Sequence, residues 1–164
     1  PATGAVQTNF SALRLKRNLF RRSAVGLLAT RRAPDGGASN SAAGVDANFA
    51  FYDNLSFSGY YARTTPGGTT GSEASYRGRF DYTGDRYGFE AEHLMVGEAF
   101  NPQVGYVRRT DFRRTYSQVR FSPRVRRIRQ LRRLSWEASL DYIENAPGTT
   151  VMNRDAVEIG RAHV

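Results

Sequence analysis

Apolar and polar residues alternate along most of this chain, with the period of two that is typical of a half-buried β-strand. The clearest run sets Val45, Ala47, Phe49 and Phe51 against polar or small neighbours. We predict about eight strands on this basis, with a ninth starting near Val151, in the segments 8–17, 23–30, 44–51, 55–62, 74–82, 87–92, 114–121 and 134–142.

The predicted connections alternate in length. Short ones follow the first, third and fifth strands, at 18–22, 52–54 and 83–86. Long polar ones follow the second, fourth and sixth strands, at 31–42, 64–71 and 97–111, and the link at 122–133 is the exception. Tight turns at one end and long loops at the other are typical of bacterial outer-membrane barrels. The fold class that we expect is therefore all-β, an antiparallel up-and-down meander that forms an open slice of a transmembrane β-barrel.

Two hairpins allow a register to be predicted. A two-residue turn at Gly84-Asp85 sets Arg79 opposite Glu90 and Arg77 opposite Glu92, with aromatic residues facing each other on the other side. We expect these two charge pairs to lie on the lumen face of a barrel. In the preceding hairpin, Phe51 opposite Leu55 also brings Phe49 to Phe57 and Asn48 to Ser58. Asp-Asn and Gly-Asp pairs tolerate positive φ, which suits tight turns.

Alternation does not reveal which face is inside. A soluble lipocalin-like ligand-binding barrel buries its apolar face, whereas a membrane barrel turns that face to lipid. Opposed charges on the polar face, small residues among the aromatics of the apolar face, and aromatics near strand ends favour the membrane. Those aromatics are Phe51, Tyr61, Tyr82, Tyr87, Phe121 and Tyr142. The soluble barrel stays an alternative.

The charge of the chain limits the classes of partner that we expect. The chain has 24 Lys+Arg against 15 Asp+Glu, a net charge of +9, and Lys16 is its only lysine. Six arginines crowd the 122–133 link, where apolar residues at a spacing of three also fit a short amphipathic helix. An Arg-rich nucleic-acid-binding domain is therefore a second alternative. We expect no nucleic acid, however, because alternation places the arginines and the aromatics on opposite faces.

Catalytic and metal-binding patterns are missing from the sequence. The chain has no cysteine and only two histidines, and it carries no nucleophile elbow and no phosphate-binding glycine loop. Glu90 and Glu92 share a face, but salt bridging explains them better than glycoside hydrolysis does. We expect His93 to lie on the lipid side near a strand end. The expectation is a protein that is not an enzyme and that has no cofactor or metal.

The segment 100–111 forms a motif loop whose residues are Phe100, Asn101, Pro102, Gly105, Tyr106, Arg108 and Arg109. This loop resembles a motif of the DUF5916 family, and 20–26 and 44–46 resemble further parts of that family. The family comprises bacterial proteins with an N-terminal carbohydrate-binding-like module and a C-terminal β-barrel region, and its biochemical function is not established. The resemblance implies that this chain is a barrel slice from a Gram-negative outer membrane. Its role would be structural or transport-like, anchoring such a module.

The motif loop also suggests partners. Arg108, Arg109, Arg113 and Arg114 form a candidate anion-binding group, because arginine offers paired hydrogen bonds to phosphate and carboxylate. Lipopolysaccharide, outer-membrane lipid, and a glycan or small polar ligand are the expected partners. Pairing of these arginines with carboxylates on the lumen face is the plainer alternative.

Both ends of the chain look artificial. The first residue is Pro1, and the final Ile-Gly-Arg-Ala-His-Val resembles a translated sequencing adapter, as in an environmental read. We expect 1–158 to be a partial β-barrel region and 159–164 to be a non-native tail. An ordinary C-terminal hexapeptide is the alternative.

Overall fold

A computed structural model describes residues 6–65, 71–124 and 133–163. These residues form one antiparallel sheet in which every strand pairs with the next one along the chain. The prediction of an all-β up-and-down meander is confirmed, with nine strands in one open sheet. They are β1 (Thr8–Leu19), β2 (Ser23–Pro34), β3 (Asn40–Phe51), β4 (Leu55–Thr65), β5 (Ala74–Thr83), β6 (Tyr87–Val96), β7 (Phe112–Phe121), β8 (Arg133–Glu144) and β9 (Val151–His163).

The connections follow the predicted alternation, but several strands extend further than expected and shorten them. The β2–β3 hairpin is longer than expected, because Arg31 pairs with Ser41 and Arg32 with Asn40. Its turn is consequently confined to 35–39, where Gly36 has a φ of 73°. The 97–111 connection between β6 and β7 has the bounds that the sequence predicts.

Strands β1 to β8 give the sheet two unlike faces. The apolar face carries most of the aromatic and aliphatic residues, and they are open to the surroundings: Phe57 is 45% exposed and Trp136 is 41% exposed. The polar face carries Asp46, Arg79, Glu92 and their neighbours in register. Within the described residues, Val96 is the only buried hydrophobic side chain. A one-layer sheet has no hydrophobic interior, so the large apolar side chains are left outside.

The β3–β4 register is confirmed, because Phe51 pairs with Leu55, Phe49 with Phe57 and Asn48 with Ser58. The β5–β6 register is wrong by two residues, since Arg79 pairs with Glu92 and Asp81 with Glu90. The two-residue turn is also wrong, because 84–86 connects the strands.

The shifted register changes the neighbours of Tyr87. Tyr82 is opposite Phe89 instead of Tyr87, and the observed partner of Tyr87 is Phe121 on β7, with the ring centroids 5.3 Å apart. A shift of two residues keeps every side chain on its face, because the period of a strand is two. Residues that are expected to be opposite become diagonal neighbours, which long side chains still bridge.

The turns use unexpected residues. The positive φ in the β3–β4 turn is at Tyr52, with a φ of 55°, and not at Asp53 or Asn54. Phe20 has a φ of 58° at the equivalent place after β1. Both are aromatic residues in the left-handed region, which is uncommon for side chains of this size.

Strand β9 does not follow the two-faced pattern. A bulge between Ile143 and Glu144 shifts its register, so Val157 opposes Ser139 and Glu158 opposes Ala138. A one-residue shift moves every side chain of a strand to the other face. Apolar residues of β9 therefore share the polar face, and this strand runs on through the 159–163 segment that resembles adapter sequence.

Most of the arginine-rich link lies outside the described residues, and so does the short helix expected there. In the described part of the chain, no helix has the length and apolar character needed to span a membrane.

The β5–β6 register can be tested with cysteine pairs, because the chain has no cysteine of its own. Tyr82 and Phe89 are directly opposed, so Tyr82→Cys combined with Phe89→Cys should form a disulfide on mild oxidation. Tyr82→Cys combined with Tyr87→Cys is the matched control and should stay reduced, because diagonal positions are about 7–8 Å apart. Mass spectrometry of the oxidised chains reads the result. Preferential bonding of the control pair would restore the register predicted from the sequence.

Candidate functional site on the polar face

Glu92 is the centre of an ion-pair network on the polar face. It is 8% exposed and accepts a 2.9 Å hydrogen bond from Nε of Arg77 on the preceding strand. On the other side, Nη1 of Arg114 lies 3.6 Å from its Oε1. Arg114 also donates from Nε to Asp141 on β8 at 2.8 Å, and its guanidinium lies 5.2 Å from the ring of Tyr116. The network thus crosses four strands.

A second group of charges lies beside the first. Arg79 donates from Nε and Nη2 to Asp81, both at 2.9 Å, and its Nη2 is 3.1 Å from Oε1 of Glu90. Both predicted charge pairs, Arg77 with Glu92 and Arg79 with Glu90, are therefore in contact, although diagonally. Asp81 and Asp141 are partners that the sequence reasoning missed. Their positions on the polar side of the alternation were a usable signal.

A further ion pair on the polar face connects two strands that are not adjacent. Arg14 on β1 reaches over Gly26 on β2 and pairs with Asp46 on β3 through both carboxylate oxygens. A Cβ atom on Gly26 would meet Nη2 of Arg14 at 2.5 Å and Oδ1 of Asp46 at 2.7 Å. The missing side chain at Gly26 thus makes room for this contact between non-adjacent strands.

The connection between β6 and β7, residues 97–111, folds back over the polar face. It leaves β6 at Gly97, where a Cβ atom would lie 2.1 Å from the carbonyl oxygen of Ser72. Only glycine fits so close to the backbone of the neighbouring segment. We refer to residues 97–111 as the inward loop.

Hydrogen bonds attach the inward loop to three strands. The backbone N–H of Asn101 donates to Oγ1 of Thr64 on β4 at 3.2 Å, and Nδ2 of Asn40 on β3 donates to the Asn101 carbonyl at 3.1 Å. Further along, Nη1 of Arg32 on β2 donates to Oε1 of Gln103 at 3.0 Å. Thr64 is 0% exposed and Asn40 is 1% exposed. The loop therefore crosses from β6 to β2 on the side of the ion pairs.

The motif residues take different positions in the inward loop. Phe100, Pro102, Gly105 and Tyr106 line the space between loop and sheet, and Tyr106 is nevertheless 90% exposed. Gly105 lies in the bend at 103–105, but the left-handed residue there is Gln103, with a φ of 47°.

The four candidate anion-binding arginines are not one group. Arg113 and Arg114 are consecutive in β7 and lie on opposite faces, and each pairs with a carboxylate, Glu144 for Arg113 and Asp141 for Arg114. The exposed Arg108 and Arg109 lie in the inward loop. Arg109 is held by the ring of Phe112, 5.4 Å from its guanidinium carbon, and by the sulfur of Met152.

An apolar patch lies beneath the inward loop, at the loop end of the otherwise polar face. It consists of Leu28, Leu94, Val96 and Phe112, with small residues of β3 and β4 between them. This patch was not predicted from the sequence. The signal was the run 94–96, where three apolar residues in succession interrupt the alternation of β6.

His93 lies on the apolar face, as its position in the alternation predicts. Its Nδ1 is 2.9 Å from Oγ1 of Thr115, and its ring stacks on Tyr76 with the centroids 5.8 Å apart. Across the described ranges, no three His, Asp or Glu side chains are grouped so that they could hold a metal ion.

Comparison with known proteins adds no relative: no family model matches the chain, and neither a curated protein nor a solved structure is detectably similar to it.

The network around Glu92 should contribute measurable stability. We expect a double-mutant cycle of Arg114→Met and Asp141→Asn to give a coupling energy of about 1–3 kcal/mol, because the two groups share two charge-assisted hydrogen bonds in a partly buried setting. Denaturant unfolding of the four chains measures it. Arg22→Met with Asp53→Asn is the matched control, and its exposed ion pair should give no measurable coupling. Equal coupling in both cycles would contradict a special role for the network.

The hydrogen bond from the Asn101 N–H to Thr64 should hold the inward loop against the sheet. Thr64→Val preserves the shape of the side chain but removes the acceptor for Asn101, at a cost of about 1 kcal/mol. That cost corresponds to a roughly fivefold larger fraction of molecules in which the inward loop is detached from β4. Trypsin should therefore cleave faster after Arg108 and Arg109. The control is Thr65→Val, an exposed neighbour. Unchanged cleavage of the Thr64 variant would show that this bond does not hold the loop.

Proposed function

We propose that this chain is a segment of a bacterial outer-membrane β-barrel, with the apolar face of β1 to β8 toward acyl chains and the polar face toward an aqueous lumen. One observation carries the proposal: most of the large apolar side chains of β1 to β8 are exposed on one face, while the ion pairs around Glu92 and at Asp46 occupy the other. An exposed apolar surface of this extent is unfavourable in water and favourable against lipid.

The charges on the apolar face support this orientation. In β1 to β8 they lie toward the strand ends, at Arg17, Arg31, Arg63, Arg113 and Glu144. The cost of a charge on a lipid-facing strand is about 2–4 kcal/mol at the bilayer midplane and falls toward the interfaces. Charges near the ends of these strands are therefore compatible with lipid contact.

Aromatic rings form a row at the end of the sheet that carries the short turns. Phe121 stacks between Tyr87, at 5.3 Å, and Trp136, at 5.9 Å, and Phe80 lies 5.9 Å from Phe89. Aromatic girdles of outer-membrane barrels lie at the two membrane–water interfaces. This row fits such a girdle on the side of the short turns.

The strands are long enough to cross the apolar layer of an outer membrane. The shortest strands have 10 residues. Such a strand runs for about 33 Å, and a tilt of about 40° reduces its rise to about 25 Å, the height of the apolar band of an outer-membrane barrel. In a soluble lipocalin-like barrel the ion pairs would instead lie outside and the aromatic residues inside, and the cavity beneath the inward loop lies on the side of the ion pairs.

The role that we propose is structural or transport-like, with localisation in the outer membrane of a Gram-negative bacterium. The resemblance of the motif loop to the DUF5916 family extends the proposal, because it adds a carbohydrate-binding-like module that such a barrel would anchor. The inward loop supports a restricted lumen, since it crosses the polar face from β6 to β2.

Trp136 gives a direct test, because it is the only tryptophan of the chain. When the chain is folded into vesicles, lipids with brominated acyl chains should quench Trp136 strongly, since its side chain is on the apolar face. The control moves the fluorophore to the polar face by Trp136→Phe with Ser139→Trp, and we expect quenching to be at least about twofold weaker. Equal quenching of the two chains, or stronger quenching from Ser139→Trp, would reject the orientation.

A further inference from the structure

A cavity of about 940 Å³ lies between the inward loop and the polar face. This size is at the upper end of the range of about 300–1,000 Å³ that is typical of small-molecule sites. Strands β2 to β7 supply its floor, and residues 100–109 of the loop supply its cover. The cavity lies on the side of the ion pairs, so its existence does not depend on where the apolar face is placed.

The floor of the cavity is mainly apolar. Leu28, Leu94, Val96 and Phe112 line it, together with small residues of β3 and β4. Two hydroxyl groups of the floor already have partners: Tyr60 and Ser75 are hydrogen-bonded to each other at 3.1 Å, and Ser75 donates to the Met95 carbonyl at 3.0 Å. The hydroxyl groups of Thr30 and Tyr106 also line the cavity. A polyhydroxylated sugar would find few unoccupied polar groups here, whereas an apolar body would find contacts along the whole floor.

One edge of the cavity is cationic. Arg108 and Arg109 line it, and no carboxylate of the described residues lies within 4.0 Å of either guanidinium. Arg109 is positioned by Phe112 and Met152, contacts that hold its guanidinium without neutralising the charge. Arg113 and Arg114, only a few residues further on, are both neutralised by carboxylates. Arginine presents paired N–H donors that match a carboxylate.

We propose that this cavity binds a small amphipathic carboxylate, with an aliphatic or aromatic body over the apolar floor and the carboxylate group at Arg108 and Arg109. The inward loop supplies both the cover and the two arginines, so the apolar and anionic parts of the ligand are recognised together. This site is distinct from the ion-pair network, whose arginines are already paired with acidic side chains.

The test uses two probes of the same shape, 2-naphthoate and its neutral amide, 2-naphthamide. Binding to the full chain in non-ionic detergent is measured by equilibrium dialysis against protein-free micelles, which removes partitioning into the detergent. We expect 2-naphthoate to bind at least about tenfold more tightly than 2-naphthamide, because only the former can accept charge-assisted hydrogen bonds from both arginines. Equal affinities, or no binding of either probe, would overturn the proposal.

Variants locate the site. Arg108→Gln with Arg109→Gln should remove the preference for 2-naphthoate, while Arg21→Gln with Arg86→Gln removes the same charge from two turns at the opposite end of the sheet and should keep it. Ala42→Phe fills the floor and should weaken both probes. If the Gln variant at the turns loses the preference, or if Ala42→Phe binds both probes normally, the ligand binds elsewhere and the proposal fails. Far-ultraviolet circular dichroism confirms that each variant retains its sheet.

This outcome is independent of the quenching of Trp136. Binding of 2-naphthoate with weak quenching would support the cavity and reject the membrane orientation. Strong quenching without binding would do the reverse.

Discussion

Backbone hydrogen bonding between consecutive strands holds the nine strands in a single layer, and a single layer has two faces that cannot both be buried by the sheet itself. The side chains alternate between those faces, so the hydrogen-bonded register decides which residues become neighbours across the sheet. In β1 to β8 this puts most of the exposed rings and aliphatic chains on one face and most of the ion pairs on the other. The proposed placement between lipid and an aqueous lumen depends on that division.

The ion pairs can form in more than one register. Arg77, Arg79 and Arg114 have long side chains that reach diagonal partners, so a register that differs by two residues from the simplest turn still brings opposite charges together. A difference of one residue has the opposite effect, as the bulge at the start of β9 demonstrates, because it turns Val157 toward the polar face. The parity of the register therefore matters more to this sheet than its exact value.

The inward loop forms a covered cavity on the polar face. It covers the apolar patch of Leu28, Leu94, Val96 and Phe112, and its hydrogen bonds to β2, β3 and β4 hold it there. It also separates the arginines by environment, since Arg113 and Arg114 are paired in β7 while Arg108 and Arg109 line the cavity. Four arginines that are close in sequence thus have two different chemical roles.

Local alternation and short turns are sufficient to predict the strands, their order, the face of each side chain in β3 to β8 and the β3–β4 register. Alternation does not distinguish the observed β5–β6 register from the predicted one, because a shift of two residues keeps every side chain on its face. Tertiary structure sets this register, and it also sets the reversal of β9, since a bulge is not visible in composition. It alone formed the cavity, because the contacts of Asn101 with Asn40 and Thr64 join residues that are distant in the chain. Alternation reports the environment within a strand, whereas the path of a long loop depends on contacts with strands far away in the sequence.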